Sequence, residues 1–394
     1  MFKSEKHKLY NLIFFEYFAR GSVLPILSLY LTKQLGFTGA QTGAVMAMAA
    51  ISTLTAPFLG SVVADRIISS EKLFALCHFS GALLMLSLST IQTYPLFLIV
   101  YLVYMMFIGP TIPLSTAIIF HHIENGKEDY GNFRVLGTLG WIGAAFVVGW
   151  IWMRLINPGA MESKLGDALV ISALASIIAG SFGLLITPSG VKEEASFSII
   201  PKSALRKFLN PKIILLSISG LIIYLADRFY FFGTGPFMKS LGFSEFNILP
   251  AQSLGQVTEI VIMVSLGTMI KKFGLKKVLI LGVVSNIARY AILAFASSPA
   301  HILLGVAMHG LAYGSFFSAA NIFLDSLITR RNRAGIHQIF RIIIAGGGNI
   351  LGNFIAGYCA RSLGVLSIHP DNYVFFWLIP AVISLGVLII LNKL

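Results

Sequence analysis

The sequence predicts an all-α membrane protein, with twelve transmembrane helices in two pseudo-symmetric halves of six. Three observations carry that reading. Of the 394 residues, 56% are hydrophobic and only 11% are charged, against about 25% charged in a soluble domain. Most of the chain must therefore face lipid or other apolar helices. Twelve apolar runs follow one another along the chain, and each is long enough to cross a hydrocarbon layer that needs about 20 residues. The basic residues sit on alternate sides of those runs, as they do where charge sets orientation in a membrane.

The runs cover about residues 9–34, 40–64, 73–92, 95–121, 133–156, 167–187, 211–240, 246–271, 276–297, 299–329, 335–362 and 371–391. Backbone groups in lipid must be satisfied within the segment or in a closed barrel, so continuous runs of this length are helices. The basic stretch from Met1 to Lys8 precedes the first run without a small-residue cleavage site behind it, so that run is expected to stay as a helix. Cys77 and Cys359 lie inside apolar runs, with neither a disulfide framework nor metal-ligand spacing.

With the N-terminus placed in the cytoplasm, the inside segments hold nineteen Lys and Arg residues and the outside segments five: Lys33, Arg154, Lys164, Lys239 and Arg361. This bias predicts both termini on the cytoplasmic side. The net charge of +13 is spread over short loops and not gathered on a polar domain, which excludes a nucleic-acid-binding surface. The polar segment 188–210 is the longest connection, and it divides the chain into a bundle at 1–187, a cytoplasmic linker and a bundle at 211–394.

The two bundles share a signature. Residues 30–37 read Tyr-Leu-Thr-Lys-Gln-Leu-Gly-Phe and residues 236–243 read Pro-Phe-Met-Lys-Ser-Leu-Gly-Phe, each after the first helix of its half. Two parallel repeats about an axis along the membrane normal are the major-facilitator plan, in which substrate binds near the midplane. The turn Gly60-Ser-Val-Val-Ala-Asp65-Arg66 resembles the loop signature of the major facilitator superfamily. Arg134-Val-Leu-Gly-Thr138-Leu-Gly-Trp141, Gln256-Val-Thr-Glu259, Phe273-Gly-Leu-Lys-Lys-Val-Leu and the Arg289-Tyr pair resemble its nucleoside:proton symporter branch.

That resemblance implies a nucleoside site lined by Arg134, Thr138 and Trp141 of the fifth helix and by Gln256 and Glu259 of the eighth, with His309 and Tyr313 of the tenth where the family commonly has two aromatics. Convergence of these residues on one central cavity is the expectation. The chain also departs from the pattern. Gly314 stands where an acid can follow the second aromatic, the seventh helix carries Asp227-Arg228-Phe-Tyr-Phe-Phe232 in place of amides, and the first carries Glu16 and Arg20.

Ionisable groups inside spans are costly and face a cavity or a partner. Glu16 and Arg20 are spaced to share one helix face, either as a self-neutralised pair or as cavity lining. Asp227 and Arg228 point about 100° apart and are expected to find different partners. Arg20 and Arg228 favour an anionic or zwitterionic substrate group if they face the cavity. Glu259 is the expected proton-coupling group, with Arg289 as its counter-ion, and Glu16, Asp227 and Arg20 belong to the same set of candidates. Asp65 and Arg66 are expected to gate the cytoplasmic side.

The glycines at 346, 347, 348 and 352 lack the strand and the Lys-Ser/Thr of a phosphate loop, so close helix packing is their expected role. The same holds for Gly137, Gly140 and Gly143. No nucleotide-hydrolysis motif and no nucleophile–base constellation is present, which argues for passive or ion-coupled transport and against an enzyme. The functional expectation is a proton-coupled symporter importing a nucleoside or related small polar solute, as a monomer in a bacterial inner membrane, without a cofactor. A sugar or organic-anion symporter is the alternative, and a lipid-handling or sensor protein on the same fold is the alternative of another class.

Overall fold

A computed structural model describes residues 2–59, 63, 67–123, 126–156, 165–189, 202–329, 332–366 and 372–394, and within these leaves aside the side chains of residues 2–4, 58, 126–130 and 202. Every regular element among the described residues is helical. Among the described residues, eleven helices are long and apolar enough to cross a membrane. They are α1 (Glu5–Gln34), α3 (Ser70–Thr90), α4 (Tyr94–His122), α5 (Gly131–Ile156), α6 (Asp167–Leu185), α7 (Pro211–Ser240), α8 (Glu245–Phe273), α9 (Leu275–Ala294), α10 (Pro299–Ser326), α11 (Arg333–Ser362) and α12 (Tyr373–Asn392). The second apolar run forms α2 (residues 39–58), which is helical at Gly39–Ala47, tightens into a 3₁₀ turn at Met48–Ile51 and continues as helix at Ser52–Phe58.

Helix interruptions follow from residue chemistry. The α-helical geometry of α1 stops at Val23 and resumes at Leu27, on either side of Pro25, whose ring removes a donor and crowds the preceding turn. Helix α4 breaks at Gly109 and Pro110 for the same reason. The repeated Leu-Gly-Phe ends form equivalent turns. Gly36 has φ 69° and Gly242 has φ 85°, the left-handed conformation that costs glycine nothing. At the second of them the Gly242 and Phe243 amides donate to Lys239 and Met238 carbonyls at 3.1 and 3.0 Å, closing the helix end. Thr38 then caps α2 in a reciprocal capping box with Gln41, and Ser244 takes the corresponding N-cap position of α8 without a side-chain bond.

The chain divides into two compact units, one of residues 1–36 with 51–199 and the other of 37–50 with 200–394. The first half of α2 packs on α11 within the second unit, because neither side of that contact has a side chain in the way. A Cβ on Gly43 would overlap the Asn353 carbonyl, and one on Gly357 would overlap the Gly39 carbonyl.

Glycine contacts also set the helix spacing inside each unit, as the sequence leads one to expect. In the first, Gly140 lies on the backbone of Phe14 and Gly137 on the ring of Tyr17, which brings α5 against α1. In the second, Gly348 and Gly352 accept Tyr224 and the stem of Arg228, which seats α7 against α11. Gly310 brings α10 onto α8, where Thr258 Oγ1 donates across to the Ala307 carbonyl at 2.7 Å.

These packings predict a contrast between two glycines. A methyl at Gly310 meets the Glu259 amide nitrogen and the Gly255 carbonyl, whereas one at Gly386 meets nothing within 4 Å. Gly310→Ala is expected to cost about 1–3 kcal/mol through overpacking and to lower the melting temperature of purified protein. Gly386→Ala should leave that temperature unchanged or raise it slightly.

Candidate functional site

In the first unit, α5 presents Arg134, Thr138 and Trp141 one turn apart. Arg134 is half-buried, and its guanidinium lies 5.0 Å from the centre of the Tyr17 ring, within cation–π range. Thr138 is buried and returns its hydroxyl to the Arg134 carbonyl at 3.3 Å. The Trp141 backbone and indole rest on Gly21 of α1, where a Cβ would meet the Trp141 Cα at 2.8 Å. The glycines of the Arg-Val-Leu-Gly-Thr-Leu-Gly-Trp stretch let α5 sit close enough to α1 for Tyr17 to stack on the arginine.

The charged pair of α1 divides its contacts. The Arg20 Nη2 donates to the Ile108 carbonyl at 2.5 Å and to Thr111 Oγ1 at 2.9 Å, on either side of the break in α4. Glu16 is fully buried and sits 4.0 Å from that same nitrogen, with neither carboxylate oxygen in a hydrogen bond among the described residues. Arg20 therefore serves α4 first and Glu16 only at the limit of an ion pair. Beside Arg20 a cavity of about 20 Å³ is lined by Met85, Tyr101, Tyr104 and Ile108, room for one water. His78 is also fully buried, and neither of its ring nitrogens is hydrogen-bonded among the described residues.

In the second unit, α7, α9 and α10 bring together Asp227, Arg228, Arg289 and His309. Arg289 is 1% exposed. Its Nη2 donates to Asn286 Oδ1 and Tyr290 Oη at 2.7 Å and approaches Asp227 Oδ1 at 3.4 Å. Its Nη1 lies 3.5 Å from the same carboxylate oxygen and 2.5 Å from His309 Nδ1. Asn286 is held by Ser384 of α12 at 2.9 Å, and the Tyr290 hydroxyl donates to the Ala226 carbonyl. The counter-ion expected for Glu259 is thus committed to Asp227. The reason is placement: α9 turns Arg289 toward α7, between its own Asn286 and Tyr290.

Asp227 and Arg228 also meet each other, Nη2 to Oδ2 at 2.5 Å, although their Cβ atoms diverge. The arginine stem is long enough to fold back along α7, where the guanidinium lies 4.5 Å from the Tyr224 ring centre and 4.9 Å from that of Phe231. Its Nη1 reaches Asn349 Oδ1 of α11 at 3.4 Å. One carboxylate is thereby shared by two guanidiniums.

On α8, Gln256 and Glu259 are both buried, 9% and 6% exposed, and the Gln256 Oε1 has no hydrogen-bond donor among the described residues. His309 stacks on Tyr230 at 4.7 Å and on Tyr313 at 5.7 Å, ring centre to ring centre. The expected gating residues Asp65 and Arg66 lie outside the described residues. Asn286, Tyr230, Tyr290 and His78 were not anticipated as parts of the site. Asn286 had a signal in its place three residues before Arg289 on the same helix face, and Tyr290 and Tyr230 lay within motifs the sequence had singled out.

The family model described as nucleoside H+ symporter matches residues 3–393 of the chain. The putative nucleoside transporter YegT of Escherichia coli (strain K12) is 27% identical over 378 residues, covering 94% of this chain and 88% of its own length. The nucleoside permease NupG of the same organism is 24% identical over 394 residues, covering 94% and 90%. A crystal structure of the nucleoside transporter NupG superposes with a TM-score of 0.88 at 24% identity, over 98% of this chain and 99% of that one. The fold is accordingly that of the major facilitators.

The shared carboxylate makes the second unit sensitive to one substitution. Asp227→Asn leaves two buried guanidiniums without their common partner and should cost about 3–5 kcal/mol, read as a large loss of thermal stability in detergent. Asp325→Asn, whose partners Arg333 and His337 lie near helix ends with partial exposure, should shift the melting temperature much less.

Proposed function

The chain belongs to the nucleoside H+ symporter family, and on that premise we propose how it holds its substrate and how it lies in its membrane. It is a transporter and not an enzyme, and its transport is proton-coupled. Gln256 carries the reading of the substrate site. A buried amide oxygen without a donor costs about 1–3 kcal/mol, and such an atom on the face that also carries Glu259 suits a ligand bearing N–H or O–H groups. A nucleoside offers both, on its base and on its ribose.

The second unit supplies acceptors from Gln256 and Glu259 and aromatic surface from His309 and Tyr313, with Arg228 held against two further rings. The first supplies Arg134, Thr138 and Trp141, a cation, a hydroxyl and an indole on one stripe of α5. Stacking on a planar base with a few hydrogen bonds at its edge uses these side chains. The chain acts as a monomer in a bacterial inner membrane, and the excess of Lys and Arg on alternate loops puts both termini in the cytoplasm.

Substrate site and orientation are tested separately. In proteoliposomes, Gln256→Ala is expected to weaken the apparent affinity for uridine about tenfold or more in counterflow, and an unchanged affinity would remove Gln256 from the site. Nucleosides, sugars and carboxylates compared by thermal shift on the wild-type protein show which class binds. For orientation, a cysteine placed at Lys202 should resist a membrane-impermeant maleimide in whole cells. Strong labelling from outside would reverse the assigned topology.

A further inference from the structure

The chemistry around His309 defines its protonation state. An arginine guanidinium has donors and no acceptor, so the contact of 2.5 Å between Arg289 Nη1 and His309 Nδ1 requires an unprotonated Nδ1. The imidazole is then neutral and carries its proton on Nε2. The ring is 3% exposed, clamped between Tyr230 and Tyr313 and edged by Phe231 at 5.9 Å. On its other side α8 approaches through Gly255, where a Cβ would lie 3.2 Å from His309 Cδ2. Packing fixes the ring plane, and Arg289 fixes the tautomer.

An acceptor stands beside the same nitrogen. Asp227 Oδ1 is 3.5 Å from His309 Nδ1 and is the oxygen that Arg289 also approaches. The charged and titratable groups facing the ring are thus Asp227 and Arg228 from α7, Arg289 and Tyr290 from α9, Tyr230 from α7 and Tyr313 from α10, with Glu259 one turn beyond Gly255 on α8. Among them a carboxylate and a guanidinium compete for one nitrogen.

We propose that His309 takes up the coupled proton on Nδ1, exchanging the Arg289 contact for a hydrogen bond to Asp227, and that its Nε2–H donates to the transported solute. The proton comes from the more acidic side and adds to the Nδ1 lone pair. The Arg289 Nη1–H···Nδ1 contact breaks, and a new Nδ1–H···Oδ1 bond to Asp227 forms. The imidazole becomes an imidazolium, and no other covalent bond changes. Arg289 keeps its bonds to Asn286 and Tyr290, so the exchange moves one contact of a guanidinium that is otherwise anchored.

Symport requires proton and solute to be carried together. Nε2 bears a hydrogen in both the neutral and the charged ring, so proton uptake strengthens the donor offered to the solute without removing it. A carboxylate loses one of its acceptor oxygens on protonation, and this histidine keeps its donor. The proposal rests on the symport reading above for its second half and on the geometry alone for its first.

Spectroscopy and transport address the two halves independently. Full-length protein with ¹⁵N-labelled imidazoles is placed in lipid nanodiscs, and the difference between wild type and His309→Gln isolates the His309 signals. At alkaline pH a pyridine-like Nδ1 and a protonated Nε2 are expected, converting to imidazolium as the pH is lowered. A protonated Nδ1 at alkaline pH, or a ring that stays neutral throughout, overturns the proposal whatever the substrate proves to be.

The transport arm uses His309→Gln in proteoliposomes with uridine. Counterflow that persists with a weakened apparent affinity for uridine, and uphill accumulation under an imposed pH gradient reduced to equal concentrations on both sides, is the expected result. Wild-type accumulation by His309→Gln overturns the coupling role. Absence of uridine counterflow in the wild type overturns the nucleoside reading and with it the solute contact of Nε2, while the spectra alone then decide whether Nδ1 takes up the proton.

Discussion

A single carboxylate neutralises two arginines at the centre of the second unit, and the arrangement of four helices depends on it. Asp227 reaches Arg228 on its own helix and Arg289 on α9. Charges so far from water are tolerated only with partners and with their remaining hydrogen-bonding sites filled. Asn286, Tyr290, His309 and Asn349 fill them, and Ser384 on α12 in turn anchors Asn286. The polar centre therefore ties together α7, α9, α10 and α11 and, through Asn286, α12, in a way that apolar packing among interchangeable leucines could not. One carboxylate against two guanidiniums leaves the cluster one positive charge in excess while His309 is neutral.

Around that centre, glycines decide how closely the helices approach. Gly352 lies directly under the stem of Arg228, and Gly255 lies against the ring of His309. A side chain at either place would push the functional group away from its partners. In lipid there is little hydrophobic gain from bringing two helices together, so small residues and interhelical hydrogen bonds set the contacts. The same glycines that look like packing residues thus also position the chemistry.

The fold was legible in the sequence because the membrane imposes strong and simple rules: run length, charge bias, and the Leu-Gly-Phe ends whose glycines do adopt positive φ. The family was legible in Arg134, Thr138, Trp141, Gln256 and Glu259, residue types whose spacing on helices survives without knowledge of tertiary contacts. Pairing was not legible. Asp227 and Arg289 are separated by 62 residues, and a helical face shows which side a residue takes but not which helix stands opposite. Arg289 had two acids at comparable depth to choose from, and the direction its long side chain takes, held by Asn286 and Tyr290, brings it to Asp227. The meeting of Asp227 with Arg228 was obscured for another reason: the direction of a Cβ describes short side chains, and an arginine can double back. The seating of residues 37–50 in the second unit was hidden because it rests on backbone-to-backbone contact at Gly39, Gly43 and Gly357, which leaves no pattern in hydropathy.

The two units treat their buried charge in opposite ways. In the second, every oxygen of Asp227 is engaged, and proton movement there means exchange of one partner for another. In the first, Glu16 is fully buried with both oxygens unmatched among the described residues, and Arg20 spends its donors on the broken turn of α4. Asp227 can respond to protonation of a neighbour without leaving its site, because it already touches both competitors. Glu16 lies at the limit of an ion pair with Arg20, so a change in its charge bears on Arg20 and on the α4 break that Arg20 secures. A helix interrupted at Gly109 and Pro110 has no continuous hydrogen-bond ladder to resist movement there. The first unit therefore joins its buried acid to a deformable helix, and the second joins its acid to a rigid polar cluster.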